Sequence, residues 1–277
     1  MGTIKAIGRK RWQWSLVGIV AAGIMLFPFY WVIVSSLETN TQIFHYPPYL
    51  FPPHPTLAAY SAVFLAQLPH LGSSLIIALG STFLSLFVAV PAAYAIARFD
   101  FRWINILIVA LLISQMLPGV ALANALFLIF DKLHLLNNYF GLMLTDCTFS
   151  IPFNVLILRA FMRGIPAELS DAGLVDGAGD WGTFVKIILP LSTTALITSG
   201  LFAFLFGWGD FLFAVTMISN SAMAPITVSL YDYVSSYSLV WNQLMATAVL
   251  ASIPAAILLI GLQRYIVAGI TSGSVKG

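Results

Sequence analysis

Three polar side chains lie inside apolar stretches of the sequence and could contact a substrate: Asp146, Asn154 and Asp210. An ionisable group in a stretch that is apolar enough to enter a membrane is a functional candidate, because burying a charge there is costly. Asp146 and Asp210 could bind a substrate, or could relay a proton as in a secondary carrier. The structural alternative for the two aspartates is a partly hydrated position at the ends of their segments. For Asn154 it is a hydrogen bond to a neighbouring helix.

Asp210 also completes the tetrapeptide Gly207-Trp208-Gly209-Asp210, which has the Gly-x-Gly-Asp form found in intramembrane aspartyl proteases. That chemistry requires a second embedded aspartate, so that the two carboxyl groups share one proton. The pair Tyr231-Asp232 follows the tetrapeptide instead of preceding it, and Asp146 is preceded by Thr145 instead of tyrosine. The sequence therefore gives the protease hypothesis little support.

Other chemistry has less support still. The single cysteine, Cys147, excludes an internal disulfide and any multi-cysteine metal site. The histidines show no paired ligand spacing, so no metal or other cofactor is expected in this chain. Basic residues do not cluster with aromatic ones, which argues against nucleic acid as a partner. The chain also lacks a Gly-x-x-x-x-Gly-Lys phosphate-binding loop.

The composition predicts an all-α, polytopic membrane protein. Apolar residues make up 60% of the chain and charged residues only 8%, whereas soluble domains carry about 25% charged residues. Several apolar runs reach the roughly 20 residues that a helix needs to cross a lipid bilayer. Prolines at 28, 91, 118 and 152 predict kinks or breaks in the helices. The apolar windows predict about six spans, at residues 14–35, 72–97, 104–127, 139–158, 191–217 and 244–262.

The distribution of cations predicts the orientation of these spans. Of the 12 Lys and Arg residues, only Lys132 falls on the side opposite the N-terminus. Because positive residues concentrate on the cytoplasmic side of membrane proteins, both termini are expected in the cytoplasm.

The connection between the fourth and fifth spans, residues 164–190, is the most informative segment. Its sequence predicts a short helix, a turn and a second helix that enters the membrane. Pro166 suits the first position of a helix, and Asp180 suits the N-cap of the following one. Gly177 and Gly179 are expected to adopt the positive φ angles that end a helix.

The first of these predicted helices has one face suited to another protein. Its small residues Ala172 and Gly173 would leave the surface flat, so that it could lie in a groove. The carboxylates of Glu168 and Asp171 would favour the positive end of the helix dipole. Positions three and four apart place the following residues on one face: Ile165, Leu169, Ala172 and Asp176.

The spacing of this segment resembles the cytoplasmic loop signature of bacterial ABC importer permeases. That signature is Glu-Ala-Ala, three residues, Gly, nine residues, Ile, one residue and Leu-Pro. Here residues 171–173 are followed at the same spacings by Gly177, Ile187 and Leu189-Pro190. Two positions depart from the signature, because Asp171 replaces Glu and Gly173 replaces the second Ala. A glycine inside a helix costs about 1 kcal/mol relative to alanine.

Other motifs are similar to those of the maltose-type carbohydrate permeases within that group, over nearly the whole chain. The family usually has Asn-Glu after the tryptophan at position 208, where this chain has Gly209-Asp210. The remaining similar motifs are Tyr94–Arg98 with Phe101, Ile165–Leu169, Val175–Ala178, Gln263–Tyr265 and the tail Ala268–Gly277.

The resemblance implies the ABC type I importer permease fold in a prokaryotic cytoplasmic membrane. A second permease subunit, a cytoplasmic ATPase dimer and an extracytoplasmic sugar-binding protein would be its partners, with membrane lipid around the spans. ATP and magnesium would be bound by the ATPase, so this chain would be a transport subunit and not an enzyme. The loop would couple ATP hydrolysis to transport through Glu168, Asp171, Ala172, Gly173, Asp176 and Gly177.

Overall fold

The computed structural model describes residues 2–235 and 240–272, and every regular element in these ranges is helical. The all-α prediction is therefore confirmed for this part of the chain. The C-terminal end of the tail motif, residues 273–277 with Lys276, lies outside it. The helices are α1 (Gly2–Ser36), α2 (Asn40–Ile43), α3 (Ala58–Arg98), α4 (Ile104–Ser114), α5 (Gly119–Lys132), α6 (Tyr139–Arg163), α7 (Ala167–Val175), α8 (Gly179–Thr183), α9 (Leu189–Leu191), α10 (Thr193–Gly209), α11 (Leu212–Met217), α12 (Ile226–Ser235) and α13 (Trp241–Ser272).

Four helical segments are long and apolar enough to cross a membrane unaided. They are Trp14–Ser36, Ala58–Arg98, Tyr139–Arg163 and Trp241–Tyr265. Two further spans are possible if each of two bent helix pairs counts as one. The α4–α5 pair bends by 99°, and the pair formed by Gly179–Leu191 and α10 bends by 77°. The predicted spans 104–127 and 191–217 are thus interrupted.

Proline breaks a helix at only one of the four predicted sites. Pro118 adopts an extended conformation (φ −62°, ψ 128°) directly before α5, at the α4–α5 bend. Pro28, Pro91 and Pro152 lie inside continuous helices, so none of these three prolines breaks its helix. In membrane helices a lost backbone hydrogen bond is tolerated where neighbouring groups satisfy the freed carbonyl.

The chain divides into two compact units. Residues 1–67 with 230–252 form the first unit, in which α3 and α13 contribute Ala59, Val63 and Ala246 to a small buried cluster. Residues 68–229 with the described residues from 253 to 272 form the second, which contains α4 to α11. Among the described residues, its buried side chains include one cluster around Tyr94, Leu158 and Phe184 and another around Leu142, Phe213 and Met217.

Helix α10 approaches α3 very closely at Gly207. A Cβ atom at this position would lie 2.6 Å from Ser81 Oγ and 3.1 Å from the backbone Cα of Ala78. Small residues allow such close contacts between helices in lipid, where packing stabilises the fold.

We therefore expect Gly207→Ala to destabilise the protein by about 1–3 kcal/mol, the usual cost of overpacking. A Cβ at Gly209 would meet no atom within 4 Å, so Gly209→Ala is the matched control. Thermal unfolding of the two detergent-purified variants tests this prediction. Equal melting temperatures would show that α3 and α10 do not pack as described.

Candidate functional site

Helix α7 ends in a well-formed C-cap, which reverses the chain towards α8. Gly177 adopts φ +77°, and its N–H donates to Leu174 O at 3.0 Å. The N–H of Ala178 donates to Gly173 O, also at 3.0 Å. Together with the left-handed conformation of Gly177, these two bonds form a Schellman motif, which satisfies the last carbonyl groups of the helix. Gly179 has φ +65°, so both predicted positive φ angles are confirmed.

The starts of both helices differ from the prediction by one or two residues. Pro166 is extended (ψ 136°) and precedes α7, which begins at Ala167. The N-cap of α8 is Ala178, which makes no side-chain capping bond, and Asp180 lies in the first turn. The prediction of Asp180 as N-cap is therefore wrong. The capping bonds of α7 continue to Ala178, so the new helix begins before Asp180 is reached.

Gly173 is the buried residue of α7 and faces the rest of the protein. A Cβ atom there would lie 2.6 Å from Ile187 Cδ1 and 2.8 Å from Thr183 Oγ1. Thr183 is the last residue of α8, and Ile187 belongs to a π-helical turn, Phe184–Ile188, that follows it. The glycine therefore allows α7 to pack directly on the next helical segment. This contact explains the departure from the signature at this position.

The opposite side of α7 is exposed and partly apolar. Of the predicted coupling residues, five are exposed: Glu168, Asp171, Ala172, Asp176 and Gly177. Exposed apolar side chains lie beside them, and Val175 is 87% exposed. Leu174 and Trp181, in the same loop, are also exposed, at 45% and 70%. Sequence reasoning did not count these three residues among the coupling residues, although apolar residues within a charged loop are a usable signal.

The loop contacts the C-terminal end of α3, which is predicted to lie on the cytoplasmic side. Phe184 is buried against Tyr94, with 4.7 Å between the ring centroids. The Arg98 guanidinium donates a hydrogen bond of 3.0 Å from Nη2 to Ile165 O, just before α7. Tyr94 and Arg98 both belong to one of the motifs noted in the sequence. A displacement of the loop would therefore act on α3 at two points.

Asp146 and Asp210 line one cavity of about 400 Å³ within the second unit. The cavity lies beside the start of α5 and the break between α10 and α11. Its other lining residues are apolar or glycine: Gly119, Phe149, Phe206, Gly209, Phe211, Leu212 and Phe213. The structure thus brings together two of the three polar residues predicted to contact a substrate.

The two carboxylates of the cavity have different surroundings. Asp210 Oδ1 accepts from Phe213 N at 3.1 Å and Oδ2 accepts from Ala214 N at 2.8 Å, so this side chain caps α11. Asp146 is 5% exposed, and its Oδ2 has no hydrogen-bond partner among the described residues.

Asn154 does not line this cavity. It is fully buried on α6, and its Nδ2 donates to Ser85 Oγ on α3 at 2.9 Å. This is the helix-bonding arrangement that the sequence left open. In the part of the chain that the structure describes, no group of three or more His, Cys, Asp or Glu side chains could hold a metal ion.

The sequence matches a known family and permease proteins of several transport systems. The family described as "Binding-protein-dependent transport system inner membrane component" matches residues 89–272. A sulfoquinovosyl glycerol transport system permease of Agrobacterium fabrum is 34% identical, with 93% of each chain covered. A trehalose transport system permease of Mycobacterium tuberculosis is 32% identical, covering 97% of this chain and 99% of the relative. A trehalose/maltose permease of Thermococcus litoralis is 31% identical, covering 97% and 98%.

A solved structure has the same fold. A bacterial ABC transporter involved in import of the acidic polysaccharide alginate aligns with a TM-score of 0.78 at 22% identity. The alignment covers 96% of this chain and 98% of that one. The fold predicted from the loop signature, that of an ABC importer permease, is confirmed.

Proposed function

Because the chain belongs to the family of binding-protein-dependent transport system inner membrane components, we propose that it is a permease subunit of an ATP-driven carbohydrate importer. The relatives named for sugar transport support the substrate class. The observation that carries the coupling role is the set of exposed apolar side chains on the α7–α8 loop, Leu174, Val175 and Trp181. Exposed apolar side chains among polar ones are typical of a protein–protein interaction site.

In this proposal, α7 docks into a cleft on a cytoplasmic ATPase dimer, which binds and hydrolyses ATP with magnesium. Leu174, Val175 and Trp181 enter the cleft, and their burial stabilises the complex. Around them, the carboxylates of Glu168, Asp171 and Asp176 set the orientation of docking.

Closure of the ATPase dimer then moves the loop and the spans together. The contact of Gly173 with Thr183 and Ile187 keeps α7 and α8 in one rigid piece. The contacts to Tyr94 and Arg98 transmit the displacement to α3. Paired with a second permease subunit, this motion alternates access between the two membrane faces, and a sugar-binding protein delivers substrate outside.

The proposal places the chain in a prokaryotic inner membrane with both termini in the cytoplasm, in agreement with the distribution of Lys and Arg. Asp146 and Asp210, which line the cavity, are proposed to lie along the substrate path, whereas Asn154 bonds α6 to α3. The alternative, a proton-coupled secondary carrier, predicts transport by this chain alone that an uncoupler abolishes. The match to the family of binding-protein-dependent transport system components does not favour it.

Single cysteines at two exposed alanines test the docking and the orientation. Ala172 lies on α7, and Ala222 lies in a short 3-10 turn, Ser221–Met223, predicted on the outer side. The native Cys147 is buried, so it contributes little background labelling. Each variant is labelled with a membrane-impermeant thiol reagent in inside-out and right-side-out vesicles, and then cross-linked in the presence of the ATPase.

We expect Ala172→Cys to react only in inside-out vesicles and to cross-link to the ATPase subunit. The matched Ala222→Cys variant should react only in right-side-out vesicles and give no cross-link. Labelling of Ala172→Cys from outside would overturn the orientation, and loss of the cross-link alone would overturn the coupling role.

A further inference from the structure

The loop that follows α1 folds back along this helix. The N–H of Thr56 donates to Leu37 O at 2.9 Å, so the chain returns to the point where it left α1. Between these two points, the Tyr30 hydroxyl donates to Leu50 O. The rings of Tyr30 and Phe51 pack edge to face, with 6.1 Å between their centroids. The tip of the loop, residues 50 and 51, is therefore held against the side of α1.

This contact lies within the span and not above it. Tyr30 precedes Ser36, the last residue of α1, by six positions, which correspond to about 9 Å along the helix axis. Side chains on a helix lean towards its N-terminus, so the Tyr30 hydroxyl lies at this depth or deeper. The segment Trp14–Ser36 has 23 residues and is thus about 34 Å long, close to the roughly 30 Å of a hydrocarbon core. The tip of the loop therefore reaches the membrane boundary.

The composition of the loop, residues 39–55, suits that position. It contains no Lys, Arg, Asp or Glu, and five of its residues are prolines, which have no backbone N–H that would need a partner in lipid. Leu50 and Phe51 at the tip are 61% and 76% exposed, and Phe44 and Tyr46 are 68% and 91% exposed. Aromatic and apolar side chains on an uncharged segment favour the boundary between lipid headgroups and acyl chains.

The surface of α1 beside the tip has the same character. All residues from 14 to 29 are exposed in this subunit. Phe27 and Phe29, the aromatic residues before Tyr30, are 51% and 63% exposed. The tip thus extends an apolar surface that belongs to a membrane span. This continuity favours lipid as its neighbour over a soluble protein.

We propose that this loop anchors the end of α1 in the adjacent leaflet, which is the outer leaflet in the proposed orientation. The side chains of Leu50 and Phe51 lie among the upper acyl chains, and Tyr46 lies among the headgroups. The Tyr30 hydroxyl satisfies a carbonyl oxygen that would otherwise lack a donor there. Because the loop carries no charge, it binds zwitterionic and anionic lipids equally.

Spin labels on single cysteines measure the depth of the loop. Phe51→Cys and Leu50→Cys replace exposed side chains at the tip, and Thr41→Cys, at an exposed polar position on α2, is the matched control. The native Cys147 is buried, so it contributes little background. Each labelled subunit is assembled with its partner permease and ATPase, in vesicles of phosphatidylcholine with or without phosphatidylglycerol. Collision rates are measured with oxygen, which concentrates in lipid, and with a water-soluble nickel chelate.

The ratio of oxygen to nickel-chelate collision rates is expected to be several-fold higher at residues 50 and 51 than at residue 41, and equal in both kinds of vesicle. A ratio at the tip as low as that at residue 41 would place the loop in water and overturn the proposal. Low rates with both reagents would place the tip against the second permease, and a high ratio found only with phosphatidylglycerol would indicate binding by charge. Either result also overturns it. The coupling role is tested separately, by the Ala172→Cys cross-link.

Discussion

Replacing Gly173 with leucine is expected to lower ATP-driven transport by about tenfold or more, which corresponds to about 1.4 kcal/mol or more of lost coupling. Leucine cannot fit where a single Cβ atom already lies 2.6 Å from Ile187 Cδ1 and 2.8 Å from Thr183 Oγ1. Helix α7 must then move away from α8, and the loop no longer transmits displacement as one piece. Transport by the reconstituted importer and thermal unfolding of the isolated subunit measure the two consequences.

Gly173→Ala is the more discriminating variant, because the signature and the structure predict opposite results. The signature has alanine here, and alanine favours a helix by about 1 kcal/mol over glycine. In this chain the added methyl overlaps two side chains, at a typical overpacking cost of about 1–3 kcal/mol. We therefore expect Gly173→Ala to be less stable than the natural chain.

Two controls isolate the contact at Gly173. Ile187→Val removes the Cδ1 atom and Thr183→Ala removes the Oγ1 atom, so their combination with Gly173→Ala should restore stability and transport. Ala172→Leu adds bulk one residue earlier on the exposed side, and should leave the unfolding temperature of the isolated subunit unchanged. A stabilised Gly173→Ala subunit would show that α7 is not packed on α8 as described.

Local physical chemistry was sufficient to predict much of this protein from its sequence. Long apolar runs identify membrane-length helices, because a bilayer admits few other structures. Gly177 and Gly179 were identified as left-handed positions, because a glycine after a short helix is the usual C-cap. Leu169, Ala172 and Asp176 are exposed, as the predicted docking face requires. Ile165, placed on the same face, precedes α7 and packs against a buried cluster.

Features that depend on tertiary contacts could not be predicted. The sequence indicated that Gly173 lowers the stability of its helix relative to alanine. It did not indicate that Thr183 and Ile187 fill the space beside this residue. The capping role of Asp210 was missed, although a glycine followed by an aspartate is a local signal for one helix ending and the next beginning. The sequence also placed no cavity between Asp146 and Asp210, which are 64 positions apart in the chain.

The same limit applies to the helix bends. Proline is a strong local signal, yet α3 and α6 continue through Pro91 and Pro152. The pair α4–α5 bends at Pro118, where residues 115–118 separate the two helices. Whether a proline breaks a helix depends on which neighbouring groups bond to the freed carbonyl. Those neighbours cannot be predicted from the sequence alone.

Gly177→Val is expected to reduce transport by about tenfold, through backbone conformation alone. Gly177 has φ +77°, in the left-handed region where a residue with a side chain costs about 1–2 kcal/mol, and a β-branched one is a marked outlier. No atom lies within 4 Å of the position of its Cβ, so steric overlap within the subunit contributes nothing. Loss of this residue's conformation opens the bonds from Gly177 and Ala178 that close α7.

Gly177→Asn separates this conformational effect from a clash with the ATPase. Asparagine adopts left-handed angles more readily than other residues with side chains, and it has one more side-chain heavy atom than valine. If the exposed glycine were needed only to leave room for the partner, asparagine would impair transport at least as much as valine. We expect the reverse order, with Gly177→Asn retaining most of the transport and most of the Ala172→Cys cross-link. Equal losses in both variants would locate the requirement in the docking surface and not in the C-cap of α7.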